Sequence, residues 1–438
     1  MERISTLEVM DMMEPLRGFK DGYIISLNFG TPPQVVQVFM DTGSDLTWVP
    51  CGNLSFECMQ CGDYKSNKLV SSFYPSLSSS SLRDTCTSSF CTSIHNSDNP
   101  FDPCAMAGCS LTTILKGSCP RPCPSFSYTY GGGGLIIGSL NRDILRVHGS
   151  DLSSSPREIS SFCFGCVSSS FMEPIGLVGF GKGTLSLPSQ LGFLHKGFSH
   201  CFLGFNFSNN PNISSPLIIG DLAITSKEEF HFTPMLTSPM YPNSYYIGLE
   251  SITVISNGNN GNSSTTSLVE VPLNLKAFDS RGNGGMLIDS GTTYTHLPEP
   301  LYSKLLLELS SKISYMRSTD IEQRSGFDLC FKVPVYSNNE HEQELLPLIS
   351  FHFLDNVELV LPTESCFYAM SAAKESMVVK CLLFQSMEDG DYGPAGVFGS
   401  FQQQNVEVVY DLEKERIGFL AKDCASSAAS HGLLLHQI

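Results

Sequence analysis

Two aspartates stand at the ends of matching apolar runs 248 residues apart, in Val38-Phe39-Met40-Asp41-Thr42-Gly43-Ser44 and Met286-Leu287-Ile288-Asp289-Ser290-Gly291-Thr292. Each Asp is followed by a hydroxyl residue, a glycine and a second hydroxyl residue. A carboxylate at the end of a buried strand is costly unless its charge is satisfied. Two of them with the same neighbours point to two half-molecules, each bringing one carboxylate to a shared site. Close carboxylates cannot both ionise cheaply, so one stays charged and one protonated. That pair can take a proton from water and return one to a leaving nitrogen, the acid/base requirement of peptide-bond hydrolysis. Thr42 and Ser290 are placed to hydrogen-bond across the junction, and Ser44 and Thr292 to hold the outer carboxylate oxygens. Gly43 and Gly291 leave backbone N–H groups free to approach. Either motif alone reads equally well as an ordinary Asp-Ser/Thr-Gly turn; the shared grammar of the two weighs against that.

The elements that must hold these loops repeat as well. Gly176-Leu177-Val178-Gly179 follows the first Asp and Gly396-Val397-Phe398-Gly399 the second, each expected to be a strand beneath its loop, with Gly allowing close backbone approach. Short apolar runs such as Tyr23-Ile24-Ile25-Ser26-Leu27 alternate with turn residues, the pattern of an all-β protein with a few short helices. Leu301, Leu305, Leu306, Leu309 and Ile313 recur at helical spacing and predict a helix from Pro300 to Ile313. A chain of 438 residues suits two domains. We place an N-terminal segment at 1–21, a first lobe at 22–214, a second at 217–423 and a tail at 424–438. The stretch 205–215 is a connection or surface excursion. The Ser- and Asn-rich stretch 51–123 reads as a cysteine-rich insertion, and 257–266 as a second polar loop.

Net charge is −17 and the pI about 4.9, which argues against a nucleic-acid partner. It fits either plain solubility or an acidic compartment, where the chain sheds self-repulsion. Sixteen cysteines are many for a reduced cytosol. Nine lie between Cys51 and Cys123, so at least one must pair with Cys163, Cys166 or Cys201. Twelve in the first half and four in the second allow each half to be closed separately. Sequons at Asn53, Asn206, Asn212 and Asn262 fit a secretory, extracellular or vacuolar history. Residues 1–20 carry four acidic residues and no signal-peptide core, so an upstream signal and propeptide are expected, with an intracellular protein as the alternative. No apolar run is long enough to span a membrane.

The chain resembles the pepsin-type aspartic proteases, in particular their plant nepenthesin-like branch. The resemblance is carried by Asp41-Thr42-Gly43-Ser44-Asp45-Leu46-Thr47-Trp48-Val49-Pro50-Cys51 and Ile288-Asp289-Ser290-Gly291-Thr292-Thr293. Further support comes from Gly176 to Gly181, Leu185 to Leu191, Phe198 to Cys201, Tyr245 to Leu249 and Phe401 to Asn405. It implies a bilobal β fold with a cleft between the lobes for extended peptide or protein substrates, Asp41 and Asp289 as the catalytic pair, no cofactor, no metal and a monomer. It also implies a hairpin flap over the cleft carrying Tyr130, with the Trp48 indole bonded to its hydroxyl. The usual Tyr-Gly-Asp-Gly-Ser is replaced here by Tyr130 and four glycines, Gly131 to Gly134, which raises the hairpin's backbone entropy. The disulfides implied are Cys166–Cys201 and Cys330–Cys381, leaving Cys366 for Cys424. Cys58/Cys61 and Cys163/Cys166 are also the spacing of zinc or redox pairs, and disulfides are the favoured reading. No His stands with a Ser or Cys nucleophile. The competing function is a non-catalytic binding protein on the same fold, inhibitor- or storage-like, which the altered flap favours and the two intact Asp motifs oppose.

Overall fold

The computed structural model describes residues 11–20, 22–58, 71–95, 102–148, 156–173, 175–207, 210, 212–224, 229–256, 264–335, 346–370, 377–387 and 393–430. The Asn262 sequon, Cys61, most of the 257–266 loop and the ends of the chain lie outside them. The protein is built almost wholly of strands, with short helices, and divides into two compact units. One comprises Met1–Leu16, Tyr23–Lys196 and Ile218–Leu222, the other Arg17–Gly22, Gly197–Leu217 and Ala223–Ile438.

In the first unit the strand Gly22–Phe29 runs antiparallel to Gln34–Asp41, which in turn lies parallel to Gly176–Gly179, with Asp41 opposite Gly179. Gly176–Gly179 is buried at every position, so it carries no alternation, as expected of a strand covered on both faces. Two long strands, Leu135–Val147 and Arg157–Phe171, pair antiparallel, and the second is also parallel to Trp48–Glu57. Phe29, Phe73, Phe162 and Phe164 pack ring against ring in the core.

The second unit repeats the device. Met286–Ile288 lies parallel to Gly396–Phe398, with Ile288 opposite Phe398. A four-stranded sheet of Thr265–Glu270, Leu249–Ser256, Leu348–Phe353 and Val357–Leu361 flanks it. In the last of these, Val357, Leu359 and Leu361 are buried while Glu358 and Val360 face outward, the period-two signature of a strand with one wet face. The helix Leu301–Lys312 forms where the apolar spacing predicts, with Leu301, Leu305 and Leu309 buried.

Two implied disulfides are corrected. The strand Gly197–Cys201 belongs to the second unit because it pairs with Val406–Asp411, Cys201 opposite Glu407. Cys201 therefore bonds Cys424, not Cys166, and closes a separation of 223 residues that crosses the two halves of the sequence. Cys166, on the strand parallel to Trp48–Glu57, meets Cys51, which supplies the bridge that the odd count of nine required. Cys366 is left as a buried thiol, as is Cys163. Cys330 is bonded to Cys381 directly across a strand pair. In the 51–123 insertion, Cys86–Cys104, Cys91–Cys123 and Cys109–Cys119 staple the short helices Ser89–His95, Pro103–Met106 and Leu111–Leu115. Three turns of helix this short have little stability of their own, and the disulfides supply what a core cannot.

Candidate active site

Asp41 closes its strand and is almost fully buried. Its Oδ1 accepts the Gly43 N–H at 2.9 Å and its Oδ2 accepts the Ser44 hydroxyl. Asp289 follows its strand directly, and its carboxylate is held the same way. Oδ1 accepts the Gly291 N–H at 2.8 Å, and Oδ2 accepts the Thr292 hydroxyl at 2.6 Å. A short turn thus fixes each carboxylate by one backbone N–H two residues on and one hydroxyl three residues on.

The strand under each loop locks it in place. Phe180 N–H donates to Asp41 O at 2.7 Å and Gly181 N–H to Ser44 O at 3.0 Å. In the second unit Asp289 N–H donates to Phe398 O at 3.1 Å and Ser400 N–H to Thr292 O at 2.8 Å. The glycines are required by space. A methyl on Gly179 would lie 2.2 Å from Asp45 O, and one on Gly399 2.5 Å from the Tyr294 carbonyl carbon. Both clashes are with backbone, which cannot swing aside.

Three glutamines complete the support, Gln402 and Gln403 fully buried and Gln190 partly so, and no motif in the sequence assigns them this role. Gln190 Oε1 accepts the Cys163 N–H and its Nε2 donates to Cys163 O, both at 2.8 Å. Gln402 Oε1 accepts the Thr295 N–H at 2.8 Å, while Gln403 Nε2 donates to Phe398 O at 2.9 Å. Each side-chain amide satisfies backbone groups that the sheets leave open. Asp45, also unassigned from sequence, accepts the Gly183 N–H at 2.7 Å. An acid and glutamines spaced identically around both Asp motifs would have been the only signal, and the two halves do not repeat them.

Tyr130 opens the turn of the hairpin formed by Phe126–Thr129 and Leu135–Val147, where Thr129 faces Leu135. Tyr130 N–H donates to Gly134 O at 2.8 Å and Gly133 N–H to Tyr130 O at 2.9 Å. The turn therefore closes without any side chain from the glycines, and Gly133 takes a positive φ of 85°. The Trp48 indole N–H donates to the Tyr130 hydroxyl at 2.7 Å. Burial, the adjacent Tyr128 and the Asp41 charge push the Tyr130 phenol well above its usual range, so it remains a neutral donor. In the second unit, burial first and then the nearby Tyr241 and the Asp289 charge push Tyr246 up to about 12.

Among the described residues, the sulfur-rich groups that could hold a metal are Cys86, Cys104, Cys109 and Cys119, and Cys91, His95 and Cys123. All six paired sulfurs in disulfides with one another offer no thiolate.

Comparison with known proteins bears on this geometry. The xylanase inhibitor N-terminal family matches residues 23–221 and the xylanase inhibitor C-terminal family residues 244–421. A probable aspartyl protease of Arabidopsis thaliana is 34% identical over 92% of this chain and 82% of its own. The aspartic proteinase nepenthesin-1 of Nepenthes gracilis is 31% identical over 92% of this chain and 78% of its own. The chain belongs to the plant nepenthesin-like branch of the pepsin-like aspartic proteases. Its fold class follows from the same comparisons. The crystal structure of basic 7S globulin from soybean superimposes with a TM-score of 0.63 at 18% identity, covering 95% of this chain and 99% of that one. At that identity the likeness speaks for the fold alone. Within the family the all-β, two-lobed architecture expected from the sequence is thereby the architecture of this chain. Among the described residues no helix is long and apolar enough to cross a membrane.

Proposed function

We propose that this protein is an aspartic endopeptidase that hydrolyses extended peptide substrates at acid pH, next to bulky apolar residues. In this reading Asp41 and Asp289 share one proton and hold one water. The charged carboxylate removes a proton from the water as it attacks the peptide carbonyl, and the protonated one donates to the carbonyl oxygen. The pair then exchanges roles to protonate the departing nitrogen. Thr42 and Ser290 join the two motifs, and Ser44 and Thr292 keep the outer oxygens occupied so that the inner ones face the water. Tyr130, a neutral phenol held by Trp48, closes over the substrate. The proposal needs no cofactor or metal.

The observation that carries it is the duplicated cradle. Two carboxylates in separate units are each held by a Gly N–H and a Ser or Thr hydroxyl at the same offsets, a repeated fixing of carboxylate geometry that suits an acid/base pair. The names of the relatives support the same direction. A second reading, a non-catalytic binding protein, is favoured by one observation, the run of four glycines at the hairpin turn. It is also the direction of the family descriptions, which name xylanase inhibitors. Cleavage of an unfolded protein substrate at acid pH, lost in Asp289→Asn, tests the enzyme reading. A folded protein that neither cleaves nor binds a transition-state analogue selects the other.

Passage through the secretory pathway to the cell exterior or a vacuole completes the proposal. It is supported by the buried disulfides and by the exposed sequon asparagines Asn53, Asn206 and Asn212. Glycosidase-sensitive mass on protein purified from its own tissue is the expected result, and unmodified, reduced protein contradicts it.

A further inference from the structure

The second unit holds a cavity of about 490 Å³, walled by the turn Phe205–Phe207, the short helix Thr363–Cys366 and the turn at Gln404 and Asn405. Its size falls within the roughly 300–1,000 Å³ typical of small-molecule sites. The walls are firmly built. Phe205 packs edge-on against Tyr368 at 5.0 Å and lies tilted against Phe401 at 5.1 Å. Phe205 N–H donates to Gln404 Oε1 at 3.1 Å, and Lys422 N–H to Asn405 O at 2.9 Å. The Cys201–Cys424 bridge ties down the strand end beside it.

The lining is chemically mixed. Phe205, Phe207 and Tyr368 give aromatic surface, while Glu364, Asn405 and Asp423 give acceptors and an amide. Asn405 Nδ2 lies 3.4 Å from Glu364 Oε1, at the outer edge of hydrogen bonding. The Lys422 ammonium is turned onto Glu407, at 2.7 Å, so it leaves the lining without a strong anion site. Gln404, 1% exposed, has its Nε2 without a hydrogen-bond partner among the described residues, a buried donor of the kind that native structures rarely leave open. A ligand with an apolar C–H face and several neutral hydroxyl or amide groups matches this lining. A metal ion or a phosphate does not. One such group has an attachment point on the rim. Asn206, exposed and part of the lining, begins the sequon Asn206-Phe207-Ser208.

We propose that this cavity is a saccharide site that receives the inner N-acetylglucosamine residues of a glycan carried on Asn206. The sugar's apolar face lies on Phe207 and Tyr368, and its hydroxyl and acetamido groups bond Glu364 and Asn405. The glycan so placed braces the Gln404–Asn405 turn and the helix that carries Glu364. The same chemistry could be met by a free saccharide, and the test separates the two sources.

The full chain would be produced in a glycosylating eukaryotic host, beside Asn206→Gln. Mass spectrometry gives occupancy of Asn206, and hydrogen exchange is followed over residues 364–369 and 402–405. The expected result is an occupied Asn206 and several-fold slower exchange of both segments than in Asn206→Gln. That difference should be erased by Tyr368→Ala and reduced by Glu364→Gln, whose exposed side chain is no threat to folding. In parallel, N,N′-diacetylchitobiose is offered to Asn206→Gln and followed by saturation-transfer NMR. Binding there, with no exchange difference in the glycosylated protein, keeps the saccharide site and assigns it to a free ligand. Equal exchange with and without the glycan, together with no chitobiose binding, overturns the proposal.

Discussion

In the proposed reading the chemistry rests on four side chains held by hydrogen bonds, local ones at Asp41 and Asp289 and a long-range one between Trp48 and Tyr130. Tyr130→Phe removes the acceptor of a buried indole N–H. An unsatisfied donor of this kind costs about 1–3 kcal/mol, so the variant should melt several degrees lower. Trp48 is the only tryptophan, and its fluorescence emission reports the loss directly. Unchanged emission in Tyr130→Phe would contradict the 2.7 Å contact. His200 gives a prediction with a sign. It is fully buried, stacked on Phe202 at 4.0 Å, and burial lowers its pKa from 6.5 to about 3. Between those values the unfolded chain binds the proton and the folded one does not, so this site subtracts stability as pH falls through that window. His200→Phe should therefore flatten the loss of stability on acidification, read as Tm against pH. A steeper acid loss in the variant would contradict the assignment. His148 acts in the opposite sense. Its hydrogen bond to Glu14 raises its pKa, so its contribution is present below its unfolded pKa and is lost as pH rises through the folded one.

At the scale of elements, two kinds of glycine should respond in opposite ways. Gly179→Ala and Gly399→Ala push a methyl into backbone and should cost several kcal/mol or prevent folding, since neither Asp45 nor Tyr294 can yield. Gly131 and Gly132 face open space without a positive φ. Alanine at either should stabilise the hairpin by roughly 0.4–1 kcal/mol through the unfolded chain, raising Tm slightly. If the loose turn limits turnover, it should also raise kcat. The comparison shows what the sequence could reveal. The Asp loops, the strands beneath them and the Leu301–Lys312 helix were legible because each is written in local pattern: an apolar run and a turn triplet, or a 3.6-residue period. The Trp48–Tyr130 bond came only through family resemblance. The roles of Gln190, Gln402 and Gln403 were not legible, because a side-chain amide that satisfies distant backbone leaves no periodic trace. Of the three implied disulfides Cys330–Cys381 held, and the other two failed for the same reason. The partner of Cys201 depends on Gly197–Cys201 joining the second unit, a choice made by strand pairing and not by spacing.

For the whole molecule, the Cys201–Cys424 bridge closes the longest covalent loop among the described disulfides. In the chain-entropy account a loop of that length restricts the unfolded state by on the order of 5 kcal/mol. Cys201→Ser with Cys424→Ser should lower stability by a large part of that, in chemical denaturation of the otherwise oxidised protein. A loss below about 1 kcal/mol would mean that Val406–Asp411 and its partner strands hold Gly197–Cys201 without help. The strongly acidic composition, −17 overall, suits the acid pH of the proposed function, where protonation relieves self-repulsion.

The most direct test of the central claim is cleavage of an unfolded protein substrate from acid to neutral pH. It compares the disulfide-intact protein with Asp41→Asn and Asp289→Asn, each with and without a hydroxyl-bearing transition-state analogue. The account predicts acid-dependent cleavage blocked by the analogue and lowered in each variant by at least about 10²–10⁴-fold, the range of a positioned acid/base group. Cleavage that persists in a folded Asp41→Asn or Asp289→Asn protein would contradict it.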